Sequence, residues 1–162
     1  DFCLSRGLGD VYKRQKEDLV FQILVKDDTH VNSNSARDSW RGDSVQIAIQ
    51  QRDGNGSPTG KVWEITAAKC KGGQVIYAHR GSRVGRLNDS LLNFLSLGEK
   101  WYLYEIRLNG KEMGLNLKPN STLGTSIIVN SGSDTGRNGF LSWGGGIAHE
   151  KNDQLFQILH LR

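Results

Sequence analysis

Alternation of apolar and polar residues is the main pattern along this chain. The stretch LVFQILVK (residues 19–26) has an apolar residue at every second position, and SVQIAIQ (residues 44–50) alternates Val45, Ile47 and Ile49 with polar or small residues. Because successive side chains of a strand point to opposite faces of its sheet, both stretches are predicted to be strands with one face toward a core.

Further strands are predicted along the rest of the chain, each bounded by residues typical of turns. They are KVWEITAAK and GQVIYAHR as a hairpin, two strands within residues 87–108 around Gly98-Glu99, then TSIIVN, FLSW and LFQILHL. No stretch keeps a 3.6-residue apolar period over three turns, so no long helix is predicted. About eight short strands without helices predict an all-β fold, an antiparallel and jelly-roll-like β-sandwich, with residues 16–162 as one domain.

The first fifteen residues, DFCLSRGLGDVYKRQ, show neither pattern. This string resembles a translated sequencing-adapter remnant from assembled environmental DNA. We therefore predict that residues 1–15 are a non-native tail without contacts to the sheet. On this interpretation the natural domain begins further upstream, its first strands are missing here, and any signal peptide is out of view.

Charge and composition exclude several classes of function. The net charge is +4, but lysines and arginines are scattered singly rather than in the contiguous basic surface that nucleic-acid binding needs. No apolar run approaches the ~20 residues of a membrane span. Two cysteines without a CxxC spacing, and four histidines without HxH or HxxxH pairs, give no indication of zinc or redox chemistry. We expect neither a nucleic acid nor a membrane as partner.

Three segments in order carry a resemblance to a known family. They are FQILVKDDTH, WRGDSVQIAI, and a C-terminal run from TSIIVN through FLSW to LFQILHL. Together they cover residues 19–162 and resemble the family 9 carbohydrate-binding modules. That family implies a β-sandwich attached to a secreted polysaccharide-degrading enzyme. Its members hold the ends of sugar chains between two aromatic side chains, and several bind calcium structurally.

The resemblance implies a set of ligand-binding residues, carried over one position at a time. Trp40 occupies the position of a ligand-stacking Trp, three residues before Asp43-Ser44-Val45. Gln46 stands where the family has an acidic residue that binds sugar hydroxyls. Glu64 aligns with a family Arg.

The second aromatic position of the clamp holds Glu150, with His149 beside it, so one aromatic wall is present and the other is not. Trp143 is a further candidate platform because three glycines follow it and would let a ligand approach.

A metal site is the one cofactor considered. Asp27, Asp28 and Asp43 are candidate oxygen ligands for a structural calcium ion, since Ca²⁺ prefers several carboxylate and carbonyl oxygens. The alternative is that Asp27 and Asp28 end a strand and Asp43 caps a loop. No other cofactor is expected.

Function is therefore predicted as non-catalytic carbohydrate binding, by an extracellular or periplasmic accessory module with a covalently linked catalytic domain upstream. The expected ligand is a polysaccharide or oligosaccharide. Two alternatives stay open: a structural spacer without ligand, or a glycoside hydrolase domain. A hydrolase needs two carboxylates about 5–9.5 Å apart. Glu64, Glu105 and Glu150 are available, but no catalytic motif surrounds them.

Overall fold

Two antiparallel sheets form the protein in a computed structural model that describes residues 12–15 and 18–161. The smaller sheet has the strand order β1-β2-β8-β7, and the larger has the order β10-β9-β3-β4-β5-β6, with β11 also paired to β9. The strands are β1 Tyr12–Gln15, β2 Asp18–Lys26, β3 Ser44–Arg52, β4 Trp63–Cys70, β5 Gly73–Arg80, β6 Gly85–Arg86, β7 Leu91–Ser96, β8 Trp101–Asn109, β9 Thr122–Ser133, β10 Gly136–Trp143 and β11 Gln157–His160. The single α-helical turn in this described part, α1, is Gly110–Met113.

The core lies between the two sheets and is built by the predicted alternation. Leu19, Phe21, Ile23 and Val25 of β2 face the larger sheet across one continuous apolar cluster. Val45, Ile47 and Ile49 of β3, together with Trp63 and Ile65 of β4, fill it from the other side. Burying one such side chain contributes about 1.5–3 kcal/mol. The predicted antiparallel β-sandwich is confirmed.

The strand boundaries differ from the prediction near the C-terminus. The strand predicted as FLSW starts earlier, at Gly136, because it pairs with the extended end of β9. The last strand starts later than predicted, at Gln157, because Asp153–Leu155 form a 3-10 turn. Phe156 then packs on the outer face of the larger sheet instead of in the core between the sheets.

The N-terminal prediction is wrong for four of its residues. Tyr12–Gln15 form β1, which pairs with β2 from Tyr12 opposite Phe21 to Gln15 opposite Asp18. Residues 1–11 lie outside the described part, and the foreign origin of the tail stays a prediction. Within the described residues, no helix has the length and apolarity to cross a membrane.

Candidate functional site

The outer face of the larger sheet carries polar side chains that are nevertheless buried. Gln46 on β3 and Glu64 on β4 point away from the core by strand alternation, yet their exposed fractions are 6% and 8%. The segment that links β10 to β11 causes this burial. Its Ile147, with Phe156, packs on outward-facing Ala48 and Ile128 and covers part of the face. This cover turns a sheet surface into a cleft.

The cleft has a volume of about 300 Å³ and combines an apolar wall with charged and polar side chains. It is lined by Trp40, Gln46, Glu64, His79, Ile128, Arg137, Ile147, Ala148 and Lys151. Its size is at the lower end of ligand sites, which are about 300–1,000 Å³. A small polar molecule with an apolar face matches this lining.

Trp40 lies at one side of the cleft, on the 3-10 turn Ser39–Arg41, and is half-buried. Two guanidinium groups contact its ring: the Cζ of Arg137 is 5.2 Å and that of Arg41 is 5.3 Å from the ring centroid. Arg137 also lies 5.1 Å from the ring of Phe140, which is on the same strand, β10. These distances are within the range of cation–π contacts.

The turn that carries Trp40 is held against the end of β9 by close backbone packing. A Cβ atom on Gly132 would lie 2.6 Å from the Cα of Gly42, and a Cβ on Gly42 would lie 2.8 Å from the carbonyl oxygen of Val31. Both clashes involve backbone atoms that cannot move aside easily. Glycine at both positions therefore lets the Trp40 turn approach the sheet.

Asp43 fixes the same junction with its side chain. One carboxylate oxygen accepts a hydrogen bond from the Gly132 amide at 2.6 Å, and the other accepts one from the Val31 amide. Burial raises the pKa of the Asp43 carboxyl to about 6, although the two amide hydrogen bonds act in the opposite direction. Asp43 is thus a structural anchor for the loop that positions Trp40.

A chain of hydrogen bonds orients Gln46 and Arg137 together. The amide nitrogen of Asn130 donates to the Gln46 side-chain oxygen and to the Ser44 hydroxyl, both at 3.1 Å. Nη1 of Arg137 donates to the Asn130 side-chain oxygen at 3.3 Å. Asn130 is 2% exposed, so the Asn130 end of this link is buried. It fixes one polar end of the cleft.

An ion pair and a histidine define the opposite side. Nζ of Lys151 lies 2.6 Å from a Glu64 carboxylate oxygen, which ties the covering segment to β4. Nε2 of His79 on β5 is 2.8 Å from the Thr66 hydroxyl. Burial lowers the pKa of His79, so its ring is neutral near pH 7 and can both donate and accept a hydrogen bond.

Three of the six predicted ligand-binding residues line this cleft: Trp40, Gln46 and Glu64. His149 and Glu150 are exposed on the covering segment, between the lining residues Ala148 and Lys151. The His149 ring contacts that of Phe140, with 5.4 Å between centroids. These two residues border the cleft without lining it.

Trp143 is placed elsewhere, which corrects its assignment as a platform. It lies opposite Ile127 in the β9–β10 pairing, on the core face of the sheet, and packs against the main apolar cluster. Trp143 therefore does not line the cleft.

The cleft is also lined by residues that were not predicted from the sequence, namely His79, Arg137, Lys151, Ile128, Ile147 and Ala148. The outward register of β5 could have indicated His79. The positions of Arg137 and Lys151 depend on how segments distant in sequence pack together.

The three candidate metal ligands do not form a site. Asp28 pairs with Lys100 at 2.6 Å, and Asp27 accepts a hydrogen bond from the Thr29 amide at 3.4 Å. Both oxygens of Asp43 are occupied by backbone amides. Across residues 18–161, no group of three or more His, Cys, Asp or Glu side chains is placed to hold a metal ion. These aspartates have the strand-end and loop roles of the alternative interpretation.

Comparisons with known proteins define the class of fold. No protein-family model matches the sequence, and no curated protein matches it. The chain is an antiparallel β-sandwich, and solved structures share this fold.

One similar structure is a family 9 carbohydrate-binding module from Caldicellulosiruptor kristjanssonii in complex with glucose. The TM-score is 0.68 and the identity 14%, over 93% of this chain and 74% of that one. Another is a candidate carbohydrate-binding protein from Bacteroides uniformis, with TM-score 0.61 and identity 14%, over 90% of this chain and 74% of that one. The chain thus has a fold like that of a family 9 carbohydrate-binding module.

Proposed function

We propose that this chain binds carbohydrate without catalysing its cleavage, and that the binding site is the cleft on the outer face of the larger sheet. The proposal depends on one observation: three residues predicted as sugar ligands lie together in the fold. A single cleft of about 300 Å³ is lined by Trp40, Gln46 and Glu64, although they are separated along the sequence. The glucose complex of the similar module from Caldicellulosiruptor kristjanssonii supports a sugar as ligand.

The lining matches the chemistry of a pyranose. A sugar ring has an apolar C–H face, which packs on an aromatic ring such as that of Trp40. Its hydroxyls need donors and acceptors, which Gln46, Glu64 and His79 supply. Among the described residues the Gln46 side-chain nitrogen has no hydrogen-bond partner, so it can donate to a ligand hydroxyl.

The number and pairing of carboxylates in the cleft favour sugar binding over sugar hydrolysis. Glu64 is the one carboxylate among the described residues that line the cleft, and it is paired with Lys151 at 2.6 Å. Glycoside hydrolysis normally uses two carboxylates on either side of the scissile bond. A paired, solitary carboxylate suits recognition of hydroxyls.

We further propose that the chain acts as an accessory module of a secreted, polysaccharide-degrading enzyme, outside the cell or in the periplasm. The family resemblance of the sequence supports this role. Sequencing the genomic locus upstream of residue 16 tests it directly. A reading frame with a signal peptide and a catalytic domain would agree, and a frame without either would contradict it.

Titration calorimetry of the full chain against cello-, xylo- and manno-oligosaccharides tests carbohydrate binding. We expect heat from at least one series and no release of reducing ends. A folded sample that gives no heat with any sugar would favour a structural spacer. Steady release of reducing ends would favour a hydrolase.

A further inference from the structure

We propose that the cleft prefers acidic sugars, with the Arg137 guanidinium as the partner of a uronate carboxylate. This inference rests on the proposed carbohydrate binding and specifies its ligand class. Arg137 lines the cleft beside Trp40, and no carboxylate among the described residues pairs with it. A guanidinium in that position has room for an anionic ligand.

The charge of the lining supports an anion. Glu64 and Lys151 neutralise one another in an ion pair, and burial lowers the pKa of His79 so that its ring is uncharged at neutral pH. Arg137 then remains as the uncompensated charge among the described residues that line the cleft. A neutral sugar would leave this cation without a counter-charge, whereas a uronate supplies one.

The guanidinium is also held in position. Its Cζ is 5.2 Å from the Trp40 ring and 5.1 Å from the Phe140 ring, and Nη1 donates to Asn130 at 3.3 Å. Arginine has five N–H donors in a planar fork, so most are left for a ligand. Prior orientation by two rings and an amide reduces the entropy lost when a carboxylate binds.

The position of Arg137 relative to Trp40 fits a sugar that carries its own carboxylate. The Arg137 Cζ lies 5.2 Å from the centroid of the Trp40 ring, so a pyranose bound against the part of that ring left exposed has its substituents within reach of the guanidinium. Hydrogen bonds between charged groups are roughly twice as strong as neutral ones. The acidic sugar should therefore bind more tightly than its neutral counterpart.

Calorimetry with matched ligands tests the proposal. The full chain is titrated with methyl glucuronoside and methyl galacturonoside, with the corresponding uncharged methyl esters, and with methyl glucoside and methyl galactoside. We expect at least one acid to bind about tenfold more tightly than its ester and its neutral sugar. This preference should shrink when ionic strength rises from about 0.05 M to about 0.5 M, because Arg137 is exposed to salt screening.

Variants assign the preference to one residue. Arg137→Gln should reduce it to less than about twofold, and Arg137→Lys should keep part of it, because lysine retains the charge without the planar fork. Lys118→Gln removes the same charge from an exposed loop residue that does not line the cleft, and should keep the full preference. Melting temperatures identify any variant that fails to fold.

The outcomes separate this inference from the proposed function. Neutral sugars that bind as tightly as the acids would overturn the acidic preference and leave carbohydrate binding intact. A preference that survives Arg137→Gln in a folded protein would overturn the role of Arg137. The absence of binding by any sugar in a folded sample would overturn the proposed function, and this inference with it.

Discussion

The outer faces of the two sheets are both formed by the outward-pointing residues of alternating strands, but these residues differ in polarity and in burial. On the larger sheet the outward residues include Gln46, Glu64 and Asn130, which are polar and at most 8% exposed. On the smaller sheet they include Leu24 and Leu95, which are apolar and 42% and 41% exposed. Polar groups are thus buried on one outer face, while apolar groups are exposed on the other.

The difference comes from what covers each face. The segment between β10 and β11 packs its Ile147 on the outward residues of the larger sheet, so polar groups beside that contact lose solvent and hydrogen-bond to one another. Buried polar groups need such partners, and a ligand that replaces water there must match them. A covered polar face can therefore discriminate between ligands.

The exposed apolar residues of the smaller sheet pack on one another within the sheet. Leu24 lies opposite Leu103, which in turn lies opposite Leu95, so the three form a row across β2, β8 and β7. Cross-strand pairs of this kind stabilise a sheet by packing side chain on side chain. The row has a structural explanation within the sheet.

The largest expected difference between the two faces is in how pH changes the free energy of unfolding. Burial raises the pKa of Asp43, the anchor of the Trp40 turn, from 3.8 to about 6. Between pH 3.8 and about pH 6, Asp43 is therefore protonated in the folded protein and ionised in the unfolded chain. The free energy of unfolding consequently falls as pH rises through this window, by up to about 3 kcal/mol. Denaturant unfolding at pH 4.5 and pH 7 measures the change.

Asp43→Asn should remove this contribution to the pH dependence. Glu105→Gln is the matched control on the other face. Glu105 accepts a hydrogen bond from Gln22 at 2.8 Å on the outer side of the smaller sheet, and its replacement also removes one carboxylate, so it shows which part of the change in the pH profile is specific to Asp43. An Asp43→Asn profile identical to that of the parent would contradict the role assigned to Asp43.

The second effect compares two tryptophans. Trp40 and Trp101 are both half-buried, and each is contacted by a cationic side chain, at 5.2 Å for Arg137 and 5.6 Å for Lys26. Trp40→Ala should weaken sugar binding by one to two decades, since an aromatic anchor contributes about 1–3 kcal/mol. Trp101→Ala, on the smaller sheet, should leave the affinity unchanged.

Both tryptophan variants should keep melting temperatures near that of the parent. If Trp40→Ala instead lowers stability by about 3–5 kcal/mol, as loss of a core tryptophan does, the residue is structural. Equal loss of affinity in both variants would remove the distinction between the faces.

The core and the fold class could be predicted from the sequence because alternation is a local property. Val45, Ile47 and Ile49 could only share a face, and a two-layer fold follows from several such strands. Trp40, Gln46 and Glu64 were found through resemblance to a family, and strand register then explains why Gln46 and Glu64 face the same side.

The remaining features depend on contacts between distant segments. In FLSW, alternation separates Phe140 from Trp143, but the pairing with β9 decides which one faces the core, and it selects Trp143. Arg137 and Lys151 stand in a turn-like stretch and in a loop without periodicity, so no local pattern places them in the cleft. The charged residues that line the cleft are therefore harder to predict from the sequence than the residues of the core.

The third effect compares two ion pairs of the same length. Lys151–Glu64 and Lys100–Asp28 both measure 2.6 Å, but the Glu64 side chain is 11% exposed and that of Asp28 is 84% exposed. Lys151→Gln should lower the free energy of unfolding by about 1 kcal/mol, because it leaves a mostly buried carboxylate without its counter-charge. Lys100→Gln should leave stability nearly unchanged. Equal effects in denaturant unfolding would show that the cover over Glu64 gives no protection from solvent.

The smallest effect is expected on the smaller sheet itself, from a double replacement of Leu24 and Leu95 by threonine. Threonine is β-branched and suits a strand, and both leucines already expose about two fifths of their surface. Each change should therefore alter the free energy of unfolding by no more than about 0.5 kcal/mol. Sugar affinity should stay that of the parent, since neither residue lines the cleft. A fall in the free energy of unfolding of more than about 2 kcal/mol would mean that this face is covered. Weaker sugar binding in a folded sample would mean that it takes part in binding. Either result would remove the contrast between the two outer faces.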